Sequence, residues 1–372
     1  MKGMHILWLT HRDPLHPKAG GVGRSIHELG KQFVKAGHHV TVYSAGWSTC
    51  KSRENIDGIE IIREPGNISL HLLTPIMRLH HHFDIIINDL GHGVPWLSAF
   101  FAGKRNVAYF RHLHARALPG QVNTLLTLAI TFLEKIYPFI YRNRLIITES
   151  NSSFEDLIRL GIRPSIIRII PPGIDRELFK PKPKTVTPTV VYFGGLRKYK
   201  RPAECMYAFK ELFDRCGDLR MSVVGTGPEE ERVKGLASDL GVLQHIDFRG
   251  KLPDADLAEL VASSWINFHT SKTEGWGYSI LESSAAGTPT VAYDVPGVRD
   301  VIVDRVNGLK VKDGDRNAFI EAAYGIISKP DNYWKESHRY ANKYSWGATA
   351  EAWENVFLEI TSNSLKDRLH KQ

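Results

Sequence analysis

The sequence predicts an α/β chain folded as two doubly wound domains. Strand-like runs alternate with helical runs from end to end, which argues parallel sheets covered on both faces. Residues 180–188 hold Pro181, Pro183 and Pro188 among lysines, the composition of a linker. A length of 372 residues also exceeds one ordinary core and suits two. The expected domains are therefore 1–174 and 175–346, with a terminal segment 347–372. Ligand should bind outside the carboxyl ends of the strands.

In the first domain, strands are expected at 5–10, 39–44, 59–63, 84–88, 106–110 and 145–148. Between them the clearest helix is 24–36, where Ile26, Leu29, Phe33 and Val34 make one apolar stripe. The second series runs 189–193, 220–224, 245–248, 265–269, 290–293 and 309–311. At the end, Trp346, Ala350, Trp353, Val356 and Phe357 repeat at helical spacing.

Composition narrows the class. Hydrophobic residues make 42% of the chain, which excludes a disordered one. The short apolar run after Lys2 is broken by His11, Arg12 and Asp13, so no secretory signal is expected. No stretch approaches the roughly 18 uncharged apolar residues of a membrane span. Cys50, Cys205 and Cys216 are odd in number and scattered; they suggest neither a disulfide framework nor a zinc site and fit a cytoplasmic protein. The net charge of +8 is compatible with simple solubility, an anionic membrane surface or a diphosphate substrate. No nucleic-acid motif accompanies it, so nucleic acid is not expected as a partner.

The most informative stretch is Thr273-Glu274-Gly275-Trp276-Gly277-Tyr278-Ser279-Ile280-Leu281-Glu282. It follows the strand at 265–269 and leads into a helix that Gly287 and Pro289 stop. A carboxylate thus stands at a strand's carboxyl end, before a glycine-rich turn and the start of a helix. A second carboxylate lies about two turns along. The N–H groups of Gly277, Tyr278 and Ser279 are natural phosphate ligands at a helix N-terminus. Glu274 and Glu282 cannot bind phosphate and suit sugar hydroxyls instead. The combination is what a nucleotide-sugar needs.

The Glu-x7-Glu spacing, with Glu274-Gly275-Trp276-Gly277 in front and Ala285-Ala286-Gly287-Thr288-Pro289 behind, resembles the retaining GT-B glycosyltransferases of family 4, glycosyl transferases group 1. Pro171-Pro172-Gly173-Ile174-Asp175, Phe193-Gly194-Gly195-Leu196, Val224-Gly225-Thr226-Gly227-Pro228, Phe248-Arg249-Gly250, Pro296-Gly297-Val298-Arg299-Asp300 and Asn307-Gly308-Leu309 follow in the family's order. Gly20-Gly21 and Ala36-Gly37-His38-His39-Val40 match more loosely. The resemblance implies two Rossmann-like domains facing across a cleft, acceptor side 1–174 and nucleotide-sugar side 175–346, with the terminal helix 347–372 returning to the first. It implies that Glu274 holds donor-sugar hydroxyls and Glu282 the ribose, neither as nucleophile. The base would meet backbone near Gly225, Gly227 and Leu252.

Arg197, Lys198, Lys200 and Arg201 crowd the end of the strand at 189–193 and can stabilise charge on a departing diphosphate. Lys200 matches the family's lysine. The family's arginine position holds Gly195, so Arg197 is the candidate to replace it; Lys198 and Arg201 read as solvated charge. The loop containing Gly20 and Gly21 lacks the GxGxxG pattern of NAD binders and would meet donor phosphate. Among Arg111, His112 and His114, the register is ambiguous and His112 is preferred near the reacting sugar. His80-His81-His82 is not read as a metal site, because adjacent histidines do not converge on one ion. Residues 122–140 are apolar but interrupted by Glu134, Lys135 and Pro138. They read as a packed amphipathic helix or, alternatively, as one touching a membrane, helped by Arg142 and Arg144.

The resemblance implies a hexosyl-transferring enzyme that retains anomeric configuration by front-face attack, the leaving phosphate taking the acceptor proton. No cofactor or obligatory metal is expected. The expected donor is a UDP- or GDP-sugar; the acceptor is a glycan, a lipid-linked sugar or a small molecule, met in the cytoplasm or at the inner membrane face. The rivals are a nucleotide-sugar epimerase, a phosphorylase, and a silent sugar-binding subunit.

Overall fold

The computed structural model describes residues 3–66, 69–71, 82–96, 98–101 and 103–369. The chain divides into two compact units. One comprises Met1–Ala115, Leu125–Gly173 and Trp346–Gln372; the other, Arg116–Thr124 and Ile174–Ser345.

The first unit holds a sheet of eight strands: β1 (His5–Leu9), β2 (His39–Ala45), β3 (Arg53–Ile56), β4 (Ile59–Glu64), β5 (Ile85–Asp89), β6 (Asn106–Phe110), β7 (Leu145–Thr148) and β8 (Ile167–Ile169). Their order is β3-β4-β2-β1-β5-β6-β7-β8. Only β3 pairs antiparallel among them, with β4. Every residue of β5 and β6 is buried, the mark of strands covered on both faces. β3 and β8 were absent from the expected set. β3 is a charged edge strand joined to β4 through Asp57 and Gly58, both at positive φ, +50° and +84°, the turn that suits a two-residue hairpin.

Helix α1 (Gly21–Lys35) buries Ile26, Leu29 and Phe33 against this sheet. The last helix, Trp346–Leu369, belongs to the same unit. Its Trp353 is fully buried and stacks on Trp8 at 5.9 Å, edge-on to Tyr109 at 4.8 Å. Phe357 lies 5.3 Å from Phe33.

The apolar segment at 122–140 forms helices α2 (Thr124–Lys135) and α3 (Tyr137–Tyr141). By length and mean hydropathy, 1.2, Thr124–Tyr141 would suffice to cross a membrane. Glu134 does not interrupt a packed face; it is buried, while Leu125 and Phe132 on α2 are 78% and 64% exposed.

The second unit holds a six-stranded parallel sheet of β9 (Thr189–Phe193), β10 (Arg220–Val224), β11 (Ile246–Gly250), β12 (Ile266–His269), β13 (Thr290–Tyr293) and β14 (Gly308–Val311), ordered β11-β10-β9-β12-β13-β14. All five residues of β9 and all four of β12 and of β13 are buried. Cys50, Cys205 and Cys216 are free thiols.

Candidate active site

Among the parallel strands of each sheet the order reverses at one place, the point at which the loops leaving two central strands of such sheets diverge to opposite sides and form a ligand-binding crevice. In the second unit that place lies between β9 and β12. The strand end of β9 carries Arg197 and Lys200, and that of β12 carries Glu274. Lys200 Nζ hydrogen-bonds Glu274 Oε1, and His269 Nε2 lies 3.2 Å from the same oxygen. Burial pushes the Glu274 carboxyl up, but the Lys200 ammonium and His269 outweigh it and hold it far below the usual carboxylate range. Burial pulls Lys200 down, and Glu274 more than restores it. Both groups are therefore charged at neutral pH, in a site where charge is weakly screened. Burial also lowers the His269 pKa, and its Nδ1 lies 3.2 Å from Ser279 Oγ.

The backbone around Glu274 is clamped. Its N–H donates to Pro296 O at 2.9 Å. A Cβ on Gly297 would stand 2.3 Å from Glu274 O, so only glycine lets the 296–297 turn approach. Helix α8 (Tyr278–Ala285) starts after Gly277, at φ +99°, numbering α4 (Asn151–Arg159), α5 (Pro202–Cys216), α6 (Glu230–Asp239) and α7 (Asp254–Ser263) before it. Tyr278 and Ser279 are its first residues, half-buried. Glu282 is 7% exposed and lies little more than one turn along, since the helix begins at Tyr278 and not nearer Glu274.

Arg201 is not solvated charge. It adopts φ +50°, its Nε donates to Thr270 O at 2.7 Å and its Nη2 to Ser271 O at 2.9 Å. Thr270 Oγ1 donates back to Lys200 O at 2.9 Å. These bonds tie the loop after β9 to the loop after β12 and set Lys200 against Glu274. Arg197 is exposed and its Nε lies 3.5 Å from where a Cβ on Gly195 would stand. Its side chain thus covers the space that the glycine leaves. Gly225 and Gly227 are required by close packing of two loops: a Cβ there would meet Gly194 O at 2.0 Å and Leu196 O at 2.2 Å. Leu252 is half-buried against the core.

In the first unit the reversal lies between β1 and β5, with β6 next. Their ends bring together histidines that the sequence reading passed over. His11 and His92 stack with ring centres 5.0 Å apart, and His71 and His92 approach Nε2 to Nε2 at 3.1 Å. Burial, then Arg12, pulls His11 down to about 4; burial lowers His92 too. These are neutral imidazoles, suited to hydroxyls rather than anions. After β6, Arg111 turns inward, 2.8 Å from Asp89 Oδ2 and 2.7 Å from Glu149 Oε1, which removes it as a ligand candidate. His114 Nε2 meets Gly91 O at 3.0 Å, and its backbone N–H donates to Glu134 at 2.6 Å. His112 is half-buried and stacks on His114, centres 4.7 Å apart.

Gly20 and Gly21 stand exposed at the start of α1. The loop before them is anchored by Asp13, which takes Arg63 Nε and Nη2 at 2.8 and 3.0 Å and Leu15 N–H at 2.9 Å. Asp13 and Arg63 are 50 residues apart in sequence, and neither carried a local signal. His80 and His81 lie outside the described residues. Among the described residues no group of three or more His, Cys, Asp or Glu is placed to hold a metal ion.

Two family models match, Glycosyltransferase Family 4 over residues 19–178 and Glycosyl transferases group 1 over 174–345. The chain belongs to the group 1 glycosyltransferases. It is similar to the GDP-mannose-dependent alpha-(1-6)-phosphatidylinositol monomannoside mannosyltransferase of Mycolicibacterium smegmatis, at 26% identity over 87% of this chain and 90% of that one. It is 25% identical to one of the polypeptides of the Arabidopsis thaliana phosphatidylinositol N-acetylglucosaminyltransferase, over 96% of this chain and 83% of that one. The sucrose-phosphate synthase of Thermosynechococcus elongatus superposes with a TM-score of 0.82 at 20% identity, covering 97% of this chain and 100% of that one. The Anabaena HepE structure with UDP-glucose superposes at a TM-score of 0.75 and 16% identity, covering 96% of this chain and 100% of that one. This glycosyltransferase therefore has the GT-B fold.

Proposed function

We propose that this glycosyltransferase moves a hexose from a nucleoside-diphosphate-sugar, a UDP- or GDP-sugar, to an acceptor hydroxyl with retention of anomeric configuration. The observation that carries the reading is the charged Lys200–Glu274 pair at the strand-order reversal, beside the first turn of α8. A diphosphate would draw Lys200 away from Glu274 and accept from the N–H groups of Gly277, Tyr278 and Ser279. Glu274, freed but still ionised, would accept from sugar hydroxyls, and Glu282 from the ribose. The acceptor oxygen bonds to the anomeric carbon as the bond to phosphate breaks, and the leaving phosphate takes the acceptor's proton. No carboxylate need act as nucleophile. Lys200, Arg197 and the α8 dipole would offset the developing charge, so no metal is obligatory. His112, with His11 and His92, would meet acceptor or donor hydroxyls, and Gly20 and Gly21 the donor phosphate.

The names of the two relatives add support: one specifies GDP-mannose, and both specify phosphatidylinositol or a derivative of it. The proposed acceptor class is a glycan, a lipid-linked sugar or a small molecule. The test is to supply UDP-, GDP- and ADP-sugars and read donor hydrolysis, then the product anomer by NMR. One nucleotide series should be consumed, and the configuration kept. Inversion would overturn the mechanism. Turnover that yields an epimerised donor without acceptor, or that needs free phosphate, would assign an epimerase or a phosphorylase instead.

A further inference from the structure

Helices α2 and α3 are amphipathic in an inverted sense. Their inward stripe is Ile130, Glu134, Tyr137 and Tyr141, all buried. Their outward stripe is Leu125, Leu128, Phe132, Lys135, Phe139 and Arg142, spaced three and four residues apart and all exposed. The apolar members are 78%, 61%, 64% and 67% exposed. Ile136, between the helices, keeps φ −90° and ψ −4°, so the stripe runs on across the junction. Phe100, 53% exposed, lies on the short helix Ser98–Phe101 that packs against α3.

The charge of the same region has one sign. Between Asp89 and Glu149 the only acid is Glu134, and it faces inward, accepting from the N–H groups of His114 and Ala115 at 2.6 and 3.1 Å. Cations gather at one end of the stripe. The Arg142 guanidinium lies 5.7 Å from the Phe139 ring centre. Arg163 Nη2 donates to Arg142 O at 2.7 Å, and Lys135 is exposed one turn before Phe139.

Apolar side chains flanked by lysine and arginine suit the interface of an anionic bilayer, where the rings enter the acyl boundary and the cations reach headgroup phosphates. A spanning arrangement is ruled out by the inward stripe: Tyr137, Ile140 and Tyr141 belong to the core of the first unit, and Tyr141 Oη accepts from Trp96 N–H at 3.2 Å. A protein partner of acidic surface would meet the cations but not four leucine and phenylalanine side chains in line.

We propose that the outward stripe of α2 and α3 is a docking surface for an anionic lipid leaflet. It lies on the back of the helix whose Glu134 holds the His112–His114 loop, so the docked face and the candidate acceptor histidines share one rigid support. The inference does not depend on which donor or acceptor is used.

The test is flotation of the full chain with phosphatidylcholine vesicles, with and without about a third phosphatidylglycerol. Binding to the anionic vesicles is expected and should weaken with salt. Each cation near such a surface strengthens binding about fivefold, so Lys135→Gln/Arg142→Gln should weaken it by roughly twenty-five-fold. Phe132→Ser/Phe139→Ser keeps every charge and should weaken it at least about tenfold through lost apolar burial, with unchanged thermal melting and unchanged nucleotide-sugar binding. Equal recovery on neutral and anionic vesicles would overturn the proposal. So would serine variants that bind as the parent does, which would leave only diffuse charge. A concentration-dependent dimer that the serine variant dissociates would assign the face to a second copy instead.

Discussion

Glu274 has two neighbours that settle its charge, and its predictions follow from them. Glu274→Gln keeps the shape but removes a charge-assisted acceptor, which contributes about 1.5–3 kcal/mol. Transfer, as kcat/KM, should fall on the order of ten- to a hundredfold, read by steady-state kinetics on protein with parental circular dichroism. Because the folded pKa of Glu274 lies below the ordinary 4.5, its ionisation stabilises the fold fully above that value and progressively less as pH falls toward the folded pKa. The stability gap between parent and the Gln variant should therefore narrow below pH 4.5, in urea titrations at pH 7 and pH 3. Lys200→Ala should lower turnover more than donor affinity if, as proposed, its charge meets the leaving group. Arg197→Ala should do the same more weakly; if it is silent, Arg197 is surface charge and Gly195 has no substitute. The strand–turn–helix order around Glu274 was legible because it occupies one contiguous stretch. The role of Arg201 was not, because nothing local separates a brace from a solvated cation.

At the scale of elements, the buried Arg111 holds two strand ends together. It joins Asp89 at the end of β5 to Glu149 after β7, and its guanidinium lies 3.7 Å from the Tyr109 ring centre. Tyr109 Oη donates to Glu149 Oε1 at 2.6 Å. Arg111→Leu would leave two carboxylates buried without their cation, and removal of one partner from such a group costs about 3–5 kcal/mol. The denaturation midpoint should drop accordingly, while Arg111→Lys should recover part of the loss. The strands with apolar runs were readable from sequence. β3, Arg53–Ile56, was not, because an exposed edge strand needs no apolar face; its Asp57-Gly58 turn was the available signal. The reading of Glu134 as an interruption of the apolar run at 122–140 followed from its charge. In the fold its oxygens accept the N–H groups of residues 114 and 115, contacts 20 and 19 residues distant.

For the whole molecule, the last helix completes the core of the first unit. Trp353→Ala removes a fully buried ring packed on Trp8, Tyr109 and Phe33, and such a loss costs about 3–5 kcal/mol. The expected result is lower melting temperature with kinetics little changed at low temperature. Because Lys200, Arg197 and a helix N-terminus are proposed to offset the diphosphate charge, transfer should persist in EDTA. Loss of activity that Mg²⁺ or Mn²⁺ restores would contradict that site.

The alternation of strands and helices, the division into two sheets and the family were all readable from linear order, because each rests on residues a few positions apart. The pairing of Lys200 with Glu274 is different: the two residues are 74 apart in sequence and meet because β9 and β12 are neighbours at the point where strand order reverses. The histidine group at the ends of β1, β5 and β6, the anchoring of Asp13 by Arg63 and the inversion of α2 are of the same kind. Sequence periodicity identifies an apolar stripe but not which side of the helix meets the core. On the inward side Glu134 accepts the N–H groups of His114 and Ala115, which need a partner once buried, while Leu125, Leu128, Phe132 and Phe139 face outward.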